Sequence, residues 1–284
     1  LRSHYLGAIA GAGTEEVSPV RLAELSKPVR NLVVERVSVV KPVFTSVLGR
    51  ALPDYHSTRN APAPRLVPLE VVFRFSVPEG SSLLERVQRD PSHMASLGFP
   101  DLRVTPGVQW DFPVLELFTK LENSDRPVPL TEALSISGLA AGQLQDLLFR
   151  TAWVAGMLRW LCGRAGLELA DGKLEWAIDA SGKCFLVDAI GPDELRLLKG
   201  GVQLSKEFLR KHYRDTSWFG AIERAKTAAK ASGVADWKRG VTEAPPALPA
   251  STRDLAAQVY LSLANALTGK QWFTEAWGLE RVVS

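Results

Sequence analysis

Asp171-Gly172-Lys173-Leu174-Glu175-Trp176-Ala177-Ile178-Asp179, the turn Ala180-Ser181-Gly182, then Lys183-Cys184-Phe185-Leu186-Val187-Asp188 and Pro192-Asp193-Glu194-Leu195-Arg196 read as a β-hairpin followed by a charged loop. Leu174, Trp176 and Ile178 alternate with Lys173, Glu175 and Ala177. That period of two sets one face on a core and the other toward something polar. With an even-length turn centred between Ala180 and Ser181, Lys173 lies opposite Asp188 and Glu175 opposite Leu186. Lys173, Glu175 and Asp188 then share a face, whereas an odd-length turn moves Asp188 to the other one.

Directly opposed side chains of an antiparallel pair have Cβ atoms about 5 Å apart, and diagonal neighbours about 7 Å. Glu175 and Asp188 are therefore candidates to hold a cation between them. Mg²⁺ suits such a pair, because it takes one or two carboxylates and completes its shell with phosphate oxygens and water. Lys173 would add a point charge for phosphate. The plainer alternative is an exposed hairpin with a cross-strand Lys–Asp pair.

Working outward, 284 residues suffice for one large domain or two lobes with a real core. An apolar content of 46% and a charged content of 23% are those of an ordinary globule. Lys and Arg number 34 against 31 acids, so a cationic pocket for a phosphorylated small molecule fits as well as nucleic acid, and no basic run favours the latter. Cys162 and Cys184 sit in apolar segments, and the four histidines, His4, His56, His93 and His212, are scattered. That pattern argues against a disulfide scaffold or a zinc site and for a reducing compartment. No run of 18 apolar residues and no basic-then-apolar leader is present, so the expected location is cytoplasmic.

In chain order, Leu1 to Ala12 reads as part of a helix and Asn31 to Val40 as a strand. Thr45 to Arg65, with Pro53, Pro62 and Pro64, reads as a long loop. Val67 to Phe75 is a strand apolar on both faces, hence central, with Glu70 and Arg74 sharing a face. After it, Gly80-Ser81-Ser82 opens a helix; backbone amides and hydroxyls there can cradle an anion, with Arg74 and Arg86 closing on it. Phe112 to Lys120 is a strand leading into the polar turn Leu121 to Pro127. Ala141 to Arg164 is the longest helix, its core face carried by Leu144, Leu147, Leu148, Val154, Leu158 and Leu161. Helices are expected from Ser205 to His212, from Trp218 to Ala231, and after Ser251 or Thr252, with Val259, Leu263 and Leu267 facing inward. Residues 232–250 read as a surface linker.

Pro68-Leu69-Glu70-Val71-Val72-Phe73-Arg74, Gly80-Ser81-Ser82 with Arg86, Glu116-Leu117-Phe118-Thr119-Lys120-Leu121-Glu122 with Asp125-Arg126, Asp171-Gly172-Lys173-Leu174-Glu175 and Pro192-Asp193-Glu194-Leu195-Arg196 occur in that order. In order and rough spacing the set resembles the phosphoribosylaminoimidazole-succinocarboxamide synthases (SAICAR synthetases), from about Pro68 to Asp215. The resemblance implies an α+β, two-lobed, ATP-grasp-like fold with antiparallel sheets flanked by helices. Residues 1–68 would be the remainder of the N-terminal ATP-binding lobe. Residues 69–284 would form the C-terminal lobe with the ribotide and metal site and the last helices.

The resemblance further implies that ATP phosphorylates the carboxylate of carboxyaminoimidazole ribotide, that the amine of L-aspartate attacks the acyl phosphate, and that phosphate leaves. Lys173, Glu175 and Asp188 would serve catalysis and the nucleotide, with Mg²⁺ on Glu175 and Asp188. Arg74, Ser81, Ser82, Arg86, Asp193 and Arg196 would bind the ribotide, and Lys120 and Asp125 would stand near the aspartate site. Clustered arginines match a phosphate monoester bidentately, and phosphoryl transfer asks for positioning and charge neutralisation more than for a protein nucleophile. The family's opening strand-turn-strand with Gly-Lys motifs has no counterpart after Leu1, and Asp188-Ala189 offers one carboxylate where relatives often carry two. The partners expected are small molecules, without nucleic acid or membrane, and a homo-oligomer stays open. The rival readings are a paralogue that uses another ribotide-like acid or another amine, and a non-catalytic nucleotide-binding subunit.

Overall fold

The structure, a computed structural model, describes residues 1–9, 19–232 and 236–284. In chain order its elements are β1 (Tyr5–Ile9), β2 (Asn31–Val34), β3 (Val43–Val47), β4 (Arg50–Asp54), α1 (His56–Arg59), β5 (Arg65–Ser76), α2 (Ser82–Arg89) and α3 (His93–Ser96). There follow β6 (Gln109–Thr119), α4 (Leu130–Ser137), α5 (Ala141–Arg164), β7 (Glu168–Ile178), β8 (Cys184–Val187), β9 (Leu195–Lys199) and β10 (Val202–Gln203). The chain ends in α6 (Glu207–Arg214), α7 (Ser217–Ser232), α8 (Ala250–Thr268) and α9 (Leu279–Val283).

A six-stranded antiparallel sheet, ordered β10-β9-β7-β5-β6 with β8 also on β7, is the frame. β5 and β7 are its long central strands, as their two-sided apolar sequence requires. One face carries Leu69, Val71, Phe73, Leu117, Leu174 and Trp176 onto Leu144, Leu147 and Val154 of α5, with Val259 and Leu263 of α8 in the same core. Trp176 is fully buried and donates its indole N–H to Thr151 Oγ1 at 3.0 Å, so the ring packs without an unpaired polar atom. Truncating it to Ala would cost about 3–5 kcal/mol. Cys162 and Cys184 are free and buried, and burial pushes both thiols up to about 11, as inert small hydrophobes.

Gly172 is required by close approach. A Cβ there would lie 2.5 Å from the Phe73 ring and 2.7 Å from Leu195 Cδ2, so only glycine lets β9 close on β7 at this point.

Three expectations are corrected. The helix expected over Leu1 to Ala12 is β1 where it is described, pairing antiparallel with β2; Ala10 to Ala12 lie outside the described residues. Cross-strand pairing supplied from about 25 residues downstream overrides the local pattern. The long loop expected over Thr45 to Arg65 contains the hairpin β3–β4, turned by Leu48 and Gly49 with φ of 50° and 75°. Two left-handed residues make a type I′ turn, but Leu48 lacks the Asn or Asp that usually announces one.

The third correction concerns the central hairpin. Ala180-Ser181-Gly182 is a three-residue loop, Gly182 is left-handed, and Asp179 N–H donates to Lys183 O. The turn is therefore odd, and Glu175 faces Val187 rather than Leu186. Pairing stops at Val187, where Asp188 turns out of the strand with φ of 65°.

Candidate active site

The sheet face opposite α5 is polar in its middle. Register places Glu70 beside Glu175, Val72 beside Lys173 and Arg74 beside Asp171 across β5 and β7, with Glu116 beside Val72 on β6 and Arg196 beside Asp171 on β9. Two ion-paired groups result, one at each end of that face.

The first group is set by two carboxylates facing each other across strands, an arrangement that is repulsive unless cations intervene. Glu70 Oε2 lies 2.8 Å from Lys173 Nζ and 3.3 Å from Lys120 Nζ, and Glu175 Oε1 lies 2.6 Å from Lys120 Nζ. Lys173 also meets Glu194 Oε2 at 2.9 Å, and Lys206 stands 3.8 Å from Glu194. Burial raises the Glu175 pKa and the charge of Asp188 adds to the rise, while Lys120 and Lys173 oppose it. Asp188 therefore acts electrostatically on Glu175 although it has left the strand. Lys120 is the converse case: burial favours its neutral form, but Glu175 and Glu70 win and raise its pKa.

The second group centres on Glu116, which is 1% exposed. Arg74 Nε donates to it at 2.5 Å, Arg86 donates through Nε and Nη2 at 2.9 Å each, and His93 Nε2 lies at 3.0 Å. Burial alone would raise the Glu116 pKa; the hydrogen bond with His93 and the charges of Arg74 and Arg86 outweigh it and bring it down to about 2. Arg74 also donates to Asp171 at 3.1 Å, and Arg196 Nε lies 3.5 Å from Asp171. Three arginines thus face two carboxylates, leaving positive charge in excess at this end.

Between the groups lies a cavity of about 290 Å³, whose wall includes Arg74, Ser82, Asp125, Lys173, Asp193 and Arg196. That size sits at the lower end for ligand pockets. Larger hollows of about 890 Å³ against α6 and about 540 Å³ at the outer edge of β6 gather none of Arg74, Lys173 or Arg196. Asp193 accepts a hydrogen bond from Tyr260 of α8, which fixes its carboxylate at the rim. Asp125 has its pKa raised by burial first and then by the charge of Glu70.

Five of the expected site residues stand outside the cavity wall. Ser81 is buried and caps α2, its Oγ accepting from Leu83 N–H at 3.4 Å, while Ser82 carries the exposed hydroxyl of the pair. Arg86 is behind the wall on Glu116, Lys120 and Glu175 pair with one another beside the cavity, and Asp188 is exposed beyond β8. Glu70, Glu116, Asp171 and Glu194 were not expected as site residues, yet they organise every cation named here. The available signal was a carboxylate inside an apolar strand, as in Val114-Leu115-Glu116-Leu117-Phe118, because a buried acid must be paired.

Glu175 and Asp188 offer oxygen donors of the kind Mg²⁺ takes. Among the described residues no group of three or more His, Cys, Asp or Glu side chains is arranged to hold a metal ion. Mg²⁺ needs only one or two protein carboxylates when phosphates complete its shell, so the fit rests on this pair, with Lys120 as the cation to be displaced from Glu175. No helix among the described residues is long and apolar enough to cross a membrane.

A family model described as SAICAR synthetase matches residues 20–225. A protein of Archaeoglobus fulgidus assigned as a phosphoribosylaminoimidazole-succinocarboxamide synthase is 33% identical over 285 aligned residues, covering 100% of this chain and 79% of that protein. The phosphoribosylaminoimidazole-succinocarboxamide synthase of Thermoplasma acidophilum is 30% identical over 221 residues, 73% of this chain and 69% of its own. Among solved structures, the SAICAR synthase of Saccharomyces cerevisiae complexed with SAICAR superposes with a TM-score of 0.53 at 20% identity, over 96% of this chain and 76% of that one. Identity at that level speaks for the fold alone, which is the α+β, ATP-grasp-like one.

Proposed function

The chain belongs to the SAICAR synthetase family of ATP-dependent carbon–nitrogen ligases in purine biosynthesis, and from that premise we propose that it joins L-aspartate to carboxyaminoimidazole ribotide through an acyl phosphate. The observation that supports this reading is the polar sheet face, with arginines in excess at one end and a lysine–glutamate lattice at the other. A ribotide phosphate suits the arginine end, where Arg74, Arg196 and Ser82 reach the cavity and Arg86 stiffens the set through Glu116. ATP phosphates suit Lys173 and Lys120. Mg²⁺ on Glu175 and Asp188 would neutralise the charge that develops on the transferring phosphoryl group.

The lysines then balance and orient rather than react. Lys173, held between Glu70 and Glu194, presents its ammonium to the cavity, and Lys120, 2.6 Å from Glu175, opposes the rise that burial imposes on the Glu175 pKa. In the reaction the carboxylate oxygen of the ribotide takes the γ-phosphoryl group and ADP leaves. The aspartate amine attacks the acyl carbon, and phosphate departs with that same oxygen. Residues 1–68, which include the separate two-stranded sheets β1–β2 and β3–β4, are assigned to the remainder of the N-terminal nucleotide lobe, and residues 69–284 to the lobe that carries the ribotide and metal site together with Lys173 and Lys120. The same reading carries a cytoplasmic location and small-molecule partners.

The test is ¹⁸O tracing. Ribotide labelled in its carboxylate should deliver one ¹⁸O to inorganic phosphate for each SAICAR formed. Unlabelled phosphate beside a SAICAR product would contradict the acyl phosphate.

A further inference from the structure

We propose that Tyr55 is a positioning residue for the nucleotide side of the site: its hydroxyl anchors the loop over residues 120–127 through Glu122, and that anchor holds Lys120 on Glu175. The inference rests on the proposed function, which gives Lys120 to the ATP phosphates. Tyr55 stands between β4 and α1, whereas Lys120, Glu122 and Asp125 follow β6. One contact thus ties the segment assigned to the nucleotide lobe to the loop that sets Asp125 in the cavity wall.

The ring of Tyr55 is 5% exposed and belongs to the main core, which accounts for an aromatic side chain there but not for a hydroxyl. That hydroxyl donates to Glu122 Oε1 at 2.6 Å. The length is that of a charge-assisted O–H···O⁻ bond, roughly twice as strong as a neutral one. Burial first, and then the hydrogen bond with Glu122, raise the Tyr55 pKa, so the group stays a donor.

The loop requires such an anchor. Leu121 has a φ of 77°, a left-handed conformation that is unfavourable for a side chain with a Cβ and persists only where the surroundings impose it. Its side chain packs on the cluster of Leu66, Ala177, Phe185 and Val187, and on its N-terminal side the Lys120 amide donates to Pro68 O at 3.0 Å. On its C-terminal side, the side-chain hydrogen bonds of residues 121–125, among the described residues, all fall on Glu122. Two of them come from Arg126 Nε and Nη2 at 3.2 Å each, and Arg126 belongs to the same loop, with Glu132 of α4 as its further partner at 2.6 Å. Tyr55 is therefore the hydrogen-bonded anchor that reaches residues 121–125 from outside the loop. With Leu121 held from both sides, the Lys120 ammonium stands 2.6 Å from Glu175 and 3.3 Å from Glu70. Released at Glu122, Leu121 relaxes out of the left-handed region and Lys120 loses its aim.

Tyr55→Phe in the full chain tests this, since it keeps the ring in the core, removes only the hydroxyl and leaves Glu122 paired with Arg126; a circular-dichroism melt checks the fold. Steady-state kinetics should show the KM for ATP raised about fivefold or more while the KM for the ribotide stays within about twofold. A general loosening of the fold would move both together. Hydrogen exchange without any substrate is the second measurement, and it separates failure of the anchor from failure of the proposed function. The amides of Thr119, Lys120 and Arg126, hydrogen-bonded to Arg126 O, Pro68 O and Thr119 Oγ1, should exchange about fivefold faster or more in Tyr55→Phe, with those of α5 unchanged. Exchange equal to that of the parent overturns the proposal, as does a KM for ATP that stays with the parent or rises no more than that for the ribotide. A parent without turnover strikes the proposed function instead, and exchange then decides the anchor by itself.

Discussion

Replacing Glu116 by Gln removes one charge from the most buried part of the site and keeps the shape. In the parent its pKa is brought down to about 2 from the ordinary 4.5, against the effect of burial, by the hydrogen bond with His93 and the charges of Arg74 and Arg86. A depressed folded-state pKa means that the ionised carboxylate stabilises the fold above pH 4.5, and that this share is lost as pH falls toward 2. At about 1.36 kcal/mol per pKa unit the share is on the order of 3 kcal/mol at neutral pH, of which roughly 2 is gone by pH 3. Leaving Arg74 with Asp171 alone costs a comparable amount, since breaking one partner from a buried ion pair costs about 3–5 kcal/mol. Urea unfolding of parent and Glu116→Gln at a series of pH values is the assay. The variant should be less stable by about 3 kcal/mol at pH 7, and the gap should shrink by more than half by pH 3. A gap below about 0.5 kcal/mol, or one that does not change with pH, would refute the reasoning that Glu116 anchors the arginines as an ionised, buried group.

Glu175→Gln should abolish Mg²⁺-dependent ATP turnover without unfolding the chain. The Glu175 pKa is raised, so its ionised form contributes no stability above the ordinary carboxylate range, and Lys120 keeps Glu70 as a partner. A variant melting at or above the parent temperature at neutral pH with turnover lost is the expected outcome; turnover near the parent rate would remove Glu175 from the mechanism. Arg196→Ala should raise the KM for the ribotide at least tenfold more than that for ATP, because its guanidinium faces the arginine end of the cavity through Asp171. Equal rises in both would undo that assignment.

Much of the frame was legible because it depends on period and composition. Helix α5 follows from its apolar face and ends where expected, β5 follows from apolar character on both faces, β6 from its strand-like apolar run, and β7 from the alternation of Leu174, Trp176 and Ile178 with Lys173, Glu175 and Ala177. The register of the β7–β8 hairpin was not legible, since Ala180-Ser181-Gly182 fits an even or an odd turn until the backbone of Gly182 is known. The cations of the site were marked by motif, whereas the acids that hold them come from strands far apart in sequence. Glu70, Glu116 and Asp171 converge only once β6, β5 and β7 are laid side by side, and no local pattern announces that order. Ser81 was ambiguous for a related reason: a serine before a helix can cap it or meet an anion, and only its burial decides for the cap.

The central claim is that this polar sheet face carries an aspartate-adding ligase. Phosphate release from ATP and Mg²⁺ in the presence of carboxyaminoimidazole ribotide, with and without L-aspartate, tests it most directly. Release that requires both substrates, with one succinocarboxamide formed per phosphate, is the predicted result. Release that proceeds equally without aspartate, or only with a different amine, would contradict it.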